Sequence, residues 1–186
     1  MNKVIETIKS RKSVRKYNDR QVEKDKLDAI LEASMYAPSA QNHQSWHYTV
    51  IQNKEFLEKL NSVIKEISKN SPYEKVRKLV SLENFNVFYG APTVVIVSYD
   101  ESGLMPTTDI ALSSQNIMLA AESLGIGTCW NGFISQLFMS ELADEYKELL
   151  GIPEGFTPSH GIVMGYTDIK SSNRQARKEN KINYIG

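Results

Sequence analysis

Residues 36–46 concentrate hydrogen-bonding side chains in one short stretch, Tyr-Ala-Pro-Ser-Ala-Gln-Asn-His-Gln-Ser-Trp. Pro38 disfavours the helical conformation for Ala37, so the chain must turn there. Within a span of six residues, hydroxyl and carboxamide groups are supplied by Ser39, Gln41, Asn42 and Gln44. Such groups suit a ligand-binding loop, but serine and asparagine also favour loops for purely local reasons. Taken alone, the stretch leaves both interpretations open.

The segment from Arg11 to Tyr17 is a second candidate for chemistry, because four of its seven residues are basic. Helical periodicity lapses here and alternation begins, so Arg11, Ser13 and Arg15 share one side of an extended chain. Val14 can then pack inward. A basic run is usually a solvated face. The alternation keeps a local anion-binding edge as the alternative.

Composition narrows the class of protein. The 186 residues include 22 basic and 22 acidic side chains, so no net field favours nucleic acid or an anionic membrane. The single cysteine, Cys129, excludes an intrachain disulfide and a cysteine-based metal site, which fits a reducing, cytoplasmic compartment. We find neither a signal-peptide pattern nor an apolar run long enough to span a bilayer. We expect one domain over residues 1–186.

Periodicity places the two candidate segments among ordinary helices and strands. An apolar stripe at helical spacing predicts a helix from about Lys24 to Tyr36, which ends before Pro38. The aromatic and β-branched residues from Trp46 to Ile51 predict a strand, and Asn53 can cap the helix that follows. A weaker helical pattern extends from Tyr73 to about Glu83.

Two apolar segments should form the core. Thr93 to Tyr99 is short and β-branched, which predicts a central strand covered by helices on both faces. Asp109 to Leu124 predicts a helix that should be buried, because it is apolar around its circumference from Ile117 to Ala121. This helix would lie between the sheet and a partner, between two subunits, or in an ordinary core.

The last third of the chain contains a glycine-framed stretch, Gly127 to Phe133, which we predict to be a turn with accessible backbone amides. Its glycines do not match Gly-x-Gly-x-x-Gly and they follow a helix, which argues against a Rossmann dinucleotide site. A helix closed by Gly151 and a strand from His160 to Tyr166 follow. The basic tail from Ser171 to Gly186 has few apolar anchors, so it needs support from elsewhere to be ordered.

Five motifs follow one another along the chain: Arg11-x-Ser13-x-Arg15, Ala37-Pro-Ser-x-x-Asn42-x-Gln44-x-Trp46, Gly90-Ala-Pro92, the helix from Asp109 to Gly125, and Gly161-x-x-x-Gly165-Tyr166. In this order they resemble the FMN-dependent nitroreductase family, in particular its compact members. The resemblance implies an α+β fold in which helices flank a central mixed β-sheet. It also implies an intertwined homodimer with one FMN in each of two interface sites, and a C-terminal arm, residues 168–186, that reaches the partner subunit.

The resemblance assigns the flavin contacts residue by residue. Arg11 and Ser13 correspond to family residues at the phosphate and ribityl side, and Arg15 corresponds to a basic residue at the pyrimidine edge. Arg177 corresponds to a C-terminal arginine that binds the phosphate. The other implied contacts are Pro38, Ser39 and Asn42 from the second subunit, Asn131 and Gly132 in the turn whose backbone amide reaches flavin N5, and Asn84 at the pyrimidine.

These residue types suit that cofactor. Arginine makes bidentate charged hydrogen bonds to phosphate. Two-electron reduction of FMN leaves negative charge near N1 and O2, which a fixed cation such as Arg15 stabilises. Because hydride enters and leaves at N5, the resemblance demands no acid–base side chain and no metal. We therefore interpret the three histidines as structural residues: His43, His47 and His160.

The implied activity is that of an NAD(P)H-dependent oxidoreductase, which passes two electrons through FMN to nitroaromatics, quinones or related acceptors by a ping-pong mechanism. The alternatives are another flavin reaction on this fold, such as reductive dehalogenation, and a flavin-binding protein without turnover. Three positions depart from the family pattern: Ser45 replaces a frequent proline, Asn131 replaces a common glutamate, and Gln175-Ala176-Arg177 lacks a second cation found in some members. These departures predict weaker FMN binding without loss of the site.

Overall fold

Four strands form one sheet, and separate layers of helices cover its two faces. The structure is a computed structural model that describes residues 2–169 and 176–186. In these residues the strands are β1 (Trp46–Ile51), β2 (Thr93–Asp100), β3 (Gly127–Asn131) and β4 (Phe156–Gly165). Their spatial order is β1-β2-β4-β3, so β2 and β4 form the centre of the sheet.

The sheet is antiparallel at every pairing of these four strands. The sequence predicts a mixed sheet, but within residues 2–169 and 176–186 the parallel pairing is limited to one isolated bridge between Ser13 and Thr128. β2 is the predicted central strand, since all residues from Thr93 to Ser98 are buried. The bridge matters for the site because it attaches the N-terminal segment to β3.

The described residues contain α1 (Lys3–Ser10), α2 (Lys24–Met35), α3 (Lys54–Ser68), α4 (Glu74–Val80), α5 (Pro106–Ser123), α6 (Ile134–Phe138) and α7 (Ala143–Leu149). On one face of the sheet, α3, α6 and α7 bury residues such as Leu60 and Leu137. On the other face, α2 and α5 bury residues such as Ile30 and Ile117. The predicted arrangement of helices flanking a central sheet is confirmed.

The element boundaries follow from local chemistry. Asn53 caps α3, because its Oδ1 accepts a 2.9 Å hydrogen bond from Phe56 N. A cap of this kind stabilises a helix by about 1 kcal/mol. Gly125 ends α5 with φ +73°, in the left-handed region that a β-carbon disfavours. The predicted boundaries of α2 and β1 agree with the structure to within 1 residue.

The stretch from Gly127 to Phe133 is mainly a strand, so the prediction of a turn over its whole length is wrong. Its first 5 residues form β3 and pair with β4. Glycine favours turns locally, but the β-prone residues between Gly127 and Gly132 gain more from pairing and packing on the sheet. Only Gly132 and Phe133 remain as the turn that leads into α6.

α5 is buried on one side only within a single chain. Ile117 and Ala121 are fully buried against the sheet, whereas Leu112 is 40% exposed. The burial predicted around the whole helix is therefore not reached by one chain. α1 adds to the open apolar surface near α5, because its Val4, Ile5 and Ile8 are exposed.

Residues 176–186 contain no helix or strand, and every side chain among them is exposed. The predicted arm over residues 168–186 is thus described only in part, since Gln175 and the rest of residues 170–175 lie outside the described residues. Within residues 2–169 and 176–186, no helix is both long and apolar enough to cross a membrane.

Candidate functional site

β3 holds the basic segment of residues 11–17 against the sheet. Val14 N donates a 2.8 Å hydrogen bond to Thr128 O, next to the bridge between Ser13 and Thr128. Val14 is buried, as the alternation predicts. The close approach depends on Gly127, because a Cβ at that position would lie 2.8 Å from Val14 Cγ2. Main-chain pairing therefore fixes the position of the segment.

Arg11, Ser13 and Arg15 converge near the thiol of Cys129. Burial raises the pKa of Cys129, and the charge of Arg15, a hydrogen bond from Ser13 and the charge of Arg11 oppose that rise. Arg15 Cζ also lies 6.0 Å from the ring centre of Tyr89. Neither arginine has an ion pair with the described part of the chain. This side of the segment thus presents one hydroxyl and two guanidinium groups that have no ion pair among the described residues.

At the end of β3, main-chain atoms and not a side chain form the exposed surface. Asn131 is buried and its carboxamide is engaged at both ends, with Nδ2 donating to Val87 O at 2.6 Å and Oδ1 accepting from Phe133 N at 2.9 Å. Gly132 is exposed, and a Cβ placed on it would meet no atom within 4 Å. The turn is therefore open at Gly132, while the Asn131 side chain stabilises its shape.

Asn84 is exposed in the loop after α4, beside an aromatic cluster. Its neighbour Phe85 packs against Phe133 with ring centres 5.4 Å apart, and against Tyr89 at 6.1 Å. Tyr89 in turn contacts Arg15. The loop, the turn after β3 and the basic segment therefore border one surface. We call this surface the basic wall; it comprises Arg11, Ser13, Arg15, Asn84 and Gly132.

The donors of the basic wall suit a polar, anionic ligand. The two guanidinium groups can make bidentate charged hydrogen bonds, and the serine hydroxyl can donate or accept. Such donors match a phosphate group, a polyol or the polar edge of a heterocycle. In the part of the chain that the structure describes, no group of His, Cys, Asp and Glu could hold a metal ion.

The residues from Ser39 to Ser45, which we call the polar loop, adopt a shape that most residues avoid. Gln41, Asn42 and Gln44 have φ values of 53°, 56° and 54°, in the left-handed region. That region costs roughly 1–2 kcal/mol per residue for side chains other than glycine. Strain of this kind persists only where surrounding structure fixes it, and it concentrates at functional sites.

Hydrogen bonds to the start of α5 and to the end of β2 hold the polar loop. Asp109 accepts from Ala40 N at 3.0 Å and from Ser45 Oγ at 2.7 Å. His43 Nε2 lies 3.1 Å from Asp100 Oδ2. The Asn42 side chain, in contrast, is exposed. The loop is therefore fixed from beneath and open on its outer side.

The polar loop and the basic wall lie towards opposite ends of α5. Asp109, which holds the loop, is in the first turn of α5, whereas Thr128, which holds the basic segment, follows the end of the helix. A helix of 18 residues is about 27 Å long. Within one chain, the structure does not bring Pro38, Ser39 and Asn42 to the basic wall.

Arg177 is exposed in the tail. It makes no hydrogen bond or ion pair with any residue in the described ranges 2–169 and 176–186. Like the polar loop, Arg177 belongs to the part of the predicted site that a single chain does not assemble.

The three histidines have structural partners. His160 is buried, with Nε2 2.8 Å from Ser114 Oγ and its ring stacked 3.5 Å from the ring of Trp130. Burial lowers the pKa of His160 to about 3, so the ring is neutral near pH 7. Burial also lowers the pKa of His47. The His47 ring packs against Phe156 with ring centres 5.6 Å apart, although its buried Nδ1 has no hydrogen-bond partner among the described residues. His43 Nε2 also lies 3.4 Å from Ser102 Oγ, in the loop before α5.

Two cavities lie away from the basic wall. One of about 440 Å³ lies beside the start of α3 and is lined in part by Leu57, Phe88 and Pro92. The other, of about 600 Å³, lies between α1, α2 and α5. None of the predicted cofactor contacts lines either cavity. The basic wall is thus a separate surface of the single chain.

Sequence reasoning missed three residues that shape the site. It treats Asp109 only as the start of a helix, yet Asp109 is buried and binds the polar loop. Tyr89 contacts Arg15, and Cys129 lies beside the basic segment. Of these three, only Asp109 could have been singled out from the sequence, because an acidic residue at the start of a core helix needs hydrogen-bond partners when it is buried.

A family comparison agrees with this fold. The model of the Nitroreductase family matches residues 8–166. The chain therefore belongs to the Nitroreductase family, which confirms the resemblance drawn from the five motifs.

Individual relatives agree with that assignment. A Methanothermobacter thermautotrophicus protein, named as a candidate NADH dehydrogenase/NAD(P)H nitroreductase, is 36% identical and covers 88% of this chain and 76% of its own length. A Bacillus subtilis FMN reductase (NAD(P)H) is 28% identical and covers 99% of this chain and 74% of its own. A crystal structure of a Bacteroides fragilis nitroreductase with bound FMN matches with a TM-score of 0.92 at 35% identity, over 100% of both chains. The predicted nitroreductase-like α+β fold is confirmed.

Proposed function

We propose that this protein is an FMN-dependent oxidoreductase that uses NAD(P)H to reduce nitroaromatics, quinones or related acceptors. Family membership and the relatives named NAD(P)H nitroreductase and FMN reductase support the activity. The FMN in the Bacteroides fragilis structure supports the cofactor. The observation that carries the proposal is the basic wall, where Arg11, Ser13 and Arg15 converge and offer a hydroxyl and two guanidinium groups without an ion pair among the described residues.

The donors of the basic wall fit the phosphate and ribityl side of FMN. Arg11 binds the phosphate and Ser13 the ribityl side, and Arg177 adds a second guanidinium to the phosphate. Val14 keeps both N-terminal donors in place through its hydrogen bond to Thr128. FMN supplies the two-electron chemistry, since its N5 accepts hydride from NAD(P)H and returns it to an acceptor.

Other residues of the basic wall fit the ring. Arg15 and Asn84 bind the pyrimidine edge, where the positive charge of Arg15 stabilises negative charge. Asn131 and Gly132 direct a backbone amide towards N5. The buried Asn131 side chain keeps this turn in shape through its hydrogen bonds to Val87 and Phe133, so a neutral amide serves where glutamate is common.

The site is completed by a second copy of the chain, in an intertwined homodimer. Pro38, Ser39 and Asn42 cover the flavin bound to the other subunit, because within their own chain they lie far from the basic wall. The exposed apolar sides of α1 and α5 supply interface area, and the arm of residues 168–186 crosses to the partner. Sedimentation velocity at micromolar concentration should show a dimer. A folded, FMN-bound monomer would contradict this arrangement.

The activity is tested by anaerobic titration of the purified, FMN-loaded protein with NADH or NADPH. The flavin absorbance should bleach with one equivalent of donor per site and return when a nitroaromatic or a quinone is added. A protein that binds FMN but is not bleached by either donor would be a flavin-binding protein without this turnover.

Donor and acceptor occupy the same open flavin face in turn, because the basic wall and the polar loop enclose the other contacts of the ring. Turnover is then ping-pong, and double-reciprocal plots for donor and acceptor should be parallel. Intersecting plots would rule out the shared face. We also propose that the chain is one domain and works in the cytoplasm, which the free, buried thiol of Cys129 supports.

A further inference from the structure

We propose that Asp109 is a positioning residue that fixes the polar loop in its strained shape, so that the loop fits against the flavin ring of the other subunit. This inference rests on the proposed function, in which Pro38, Ser39 and Asn42 cover the flavin. Asp109 itself touches neither the cofactor nor the reacting atoms. It acts through the two ends of the polar loop.

Both hydrogen bonds of the Asp109 side chain go to the polar loop. Oδ1 accepts from Ala40 N at 3.0 Å, and Oδ2 accepts from Ser45 Oγ at 2.7 Å. Ala40 and Ser45 stand near the two ends of the loop, so one carboxylate closes it. Asp109 and Ser45 are each 1% exposed. Water therefore cannot take the place of Asp109 or Ser45 in their hydrogen bond at low cost.

These contacts distinguish Asp109 from a helix cap. Side chains that cap a helix accept hydrogen bonds from the N–H groups of its first turn. Among the described residues, no N–H group of α5 donates to the Asp109 side chain, and Met105 at the N-cap position provides no side-chain cap either. The positive end of the α5 dipole still favours a carboxylate there. The helix thus carries Asp109 towards the loop.

Packing around Ser45 confines its hydroxyl to Asp109. A Cβ on Gly103 would lie 2.6 Å from Ser45 Oγ, so the loop between β2 and α5, which contains Gly103, approaches Ser45 as closely as glycine allows. Asp100 N also donates to Ser45 O at 2.8 Å. Ser45 occupies a position where proline is frequent in the family that the motifs resemble. In this chain the hydrogen bond to Asp109 replaces the stiffness of a proline ring.

The residues that Asp109 holds are on either side of the strained residues of the polar loop. Gln41, Asn42 and Gln44 lie between Ala40 and Ser45, and all three have positive φ values. Without Asp109, these residues can relax towards the right-handed or extended regions that their side chains favour. Asn42 would then leave the position from which it covers the flavin.

The test compares Asp109→Ala, Asp109→Asn and Ser45→Ala with the wild type, using the full chain as purified. Asp109→Asn is the conservative variant: its carboxamide oxygen can accept from Ala40 N, and its NH₂ can donate to the Ser45 hydroxyl. Thr108→Ala is the matched control, because Thr108 is exposed on the same turn of α5. Hydrogen exchange at the Ala40 amide reports the anchor, and Kd values for FMN and riboflavin report its effect on the ring.

We expect Asp109→Ala to speed hydrogen exchange at the Ala40 amide about 10-fold. It should also weaken the binding of FMN and of riboflavin about 10-fold each, which is the effect of losing hydrogen bonds to a charged group. Ser45→Ala should show a smaller change in the same direction, and it carries the test if Asp109→Ala does not fold. Asp109→Asn and Thr108→Ala should stay within about three-fold of the wild type, well below the loss of one such bond.

Three outcomes would overturn the inference: unchanged exchange at Ala40 in Asp109→Ala, loss of FMN with riboflavin unaffected, or equal damage from Asp109→Asn and Asp109→Ala. The first outcome would show that Asp109 does not hold Ala40. The second would show that Asp109 affects the phosphate site and not the ring, and the third would show that its charge matters and its hydrogen bonds do not. A wild-type protein that binds no flavin would refute the proposed function, which is a different result because the exchange readout does not depend on flavin.

Discussion

The chain carries two basic segments that differ in what holds them. Residues 11–17 are fixed by main-chain pairing with β3, by the buried Val14 and by the space that Gly127 leaves. Residues 176–186, which carry Arg177, have no secondary structure and no buried side chain. The first segment is attached to the core of its own chain, whereas the second has no support from the described residues of that chain.

In the proposed site, the two segments therefore have different roles. A segment that is fixed before a ligand arrives loses little conformational entropy on binding, so it can set the ligand's position. A segment that has no support from the described residues loses that entropy when it docks, so in the proposed dimer its contribution depends on the partner subunit and on the phosphate together. We therefore expect changes in the fixed segment to alter specific contacts, and changes in the tail to alter assembly as well.

The largest expected effect comes from removing the tail. Truncation after Tyr166 should weaken FMN binding at least as much as Arg177→Ala, a loss of about 10- to 100-fold for one charged hydrogen bond of 1.5–3 kcal/mol. It should also weaken the dimer, which Arg177→Ala in the full chain should leave intact. Flavin titration and sedimentation equilibrium measure the two effects. A truncated protein that keeps both properties would show that the tail has no partner.

Arg11→Ala comes next, because it removes one phosphate contact from the fixed segment. FMN affinity should fall about 10- to 100-fold, while riboflavin, which lacks the phosphate, should change less than about two-fold. Lys12→Ala is the matched control, since alternation places Lys12 on the other side of the segment. Equal losses for FMN and riboflavin would move Arg11 away from the phosphate.

Gly127→Ala tests whether β3 really positions the basic segment. The new Cβ would lie 2.8 Å from Val14 Cγ2. Overpacking of this kind costs about 1–3 kcal/mol of the free energy of unfolding, measured in urea. FMN and riboflavin should also both bind more weakly to this variant.

Two controls sharpen that test. Gly161→Ala should be close to neutral, because its nearest atom would be 3.7 Å away. The double variant Val14→Ala/Gly127→Ala should recover part of the loss, since it restores space at the contact. Additive effects in that pair would place the damage elsewhere.

Arg15→Ala has the smallest expected effect, a change in flavin reduction potential. Removing a partly exposed cation from the pyrimidine edge should lower the potential by a few tens of millivolts, where ~30 mV corresponds to about 1.4 kcal/mol for two electrons. Flavin reduction by the nicotinamide should slow as well. Lys16→Ala, on the other side of the segment, should leave the potential unchanged. An unchanged potential in Arg15→Ala, with FMN fully bound, would remove Arg15 from the mechanism.

Local patterns predicted most of the fold. The stripe from Lys24 onwards and the proline at residue 38 place α2 correctly, and the β-branched run after Ala91 places β2. β3 was missed because its framing glycines favour turns and its stability comes from pairing with β4, which local sequence does not encode. α6 has only 5 residues, too few to show a helical period.

The sequence proposes the residue types of the candidate site, but it does not show how the fold holds them. The alternation in residues 11–15 indicates which side chains share an edge, and the order of the motifs indicates the family. The bond between Ser45 and Asp109 joins residues 64 positions apart, so it becomes visible only in the folded chain. Likewise, no sequence pattern shows that α5 separates the polar loop from the basic wall.

The strand order has a consequence for how the protein is made. β4 lies between β2 and β3, and it follows both of them in the chain. No pair of neighbouring strands is a hairpin, since helices separate β1 from β2 and β3 from β4. Contacts between residues so far apart in sequence form slowly. On the ribosome, β2 and β3 must therefore wait with open edges until β4 has emerged, and this interval is when the chain is most exposed to aggregation.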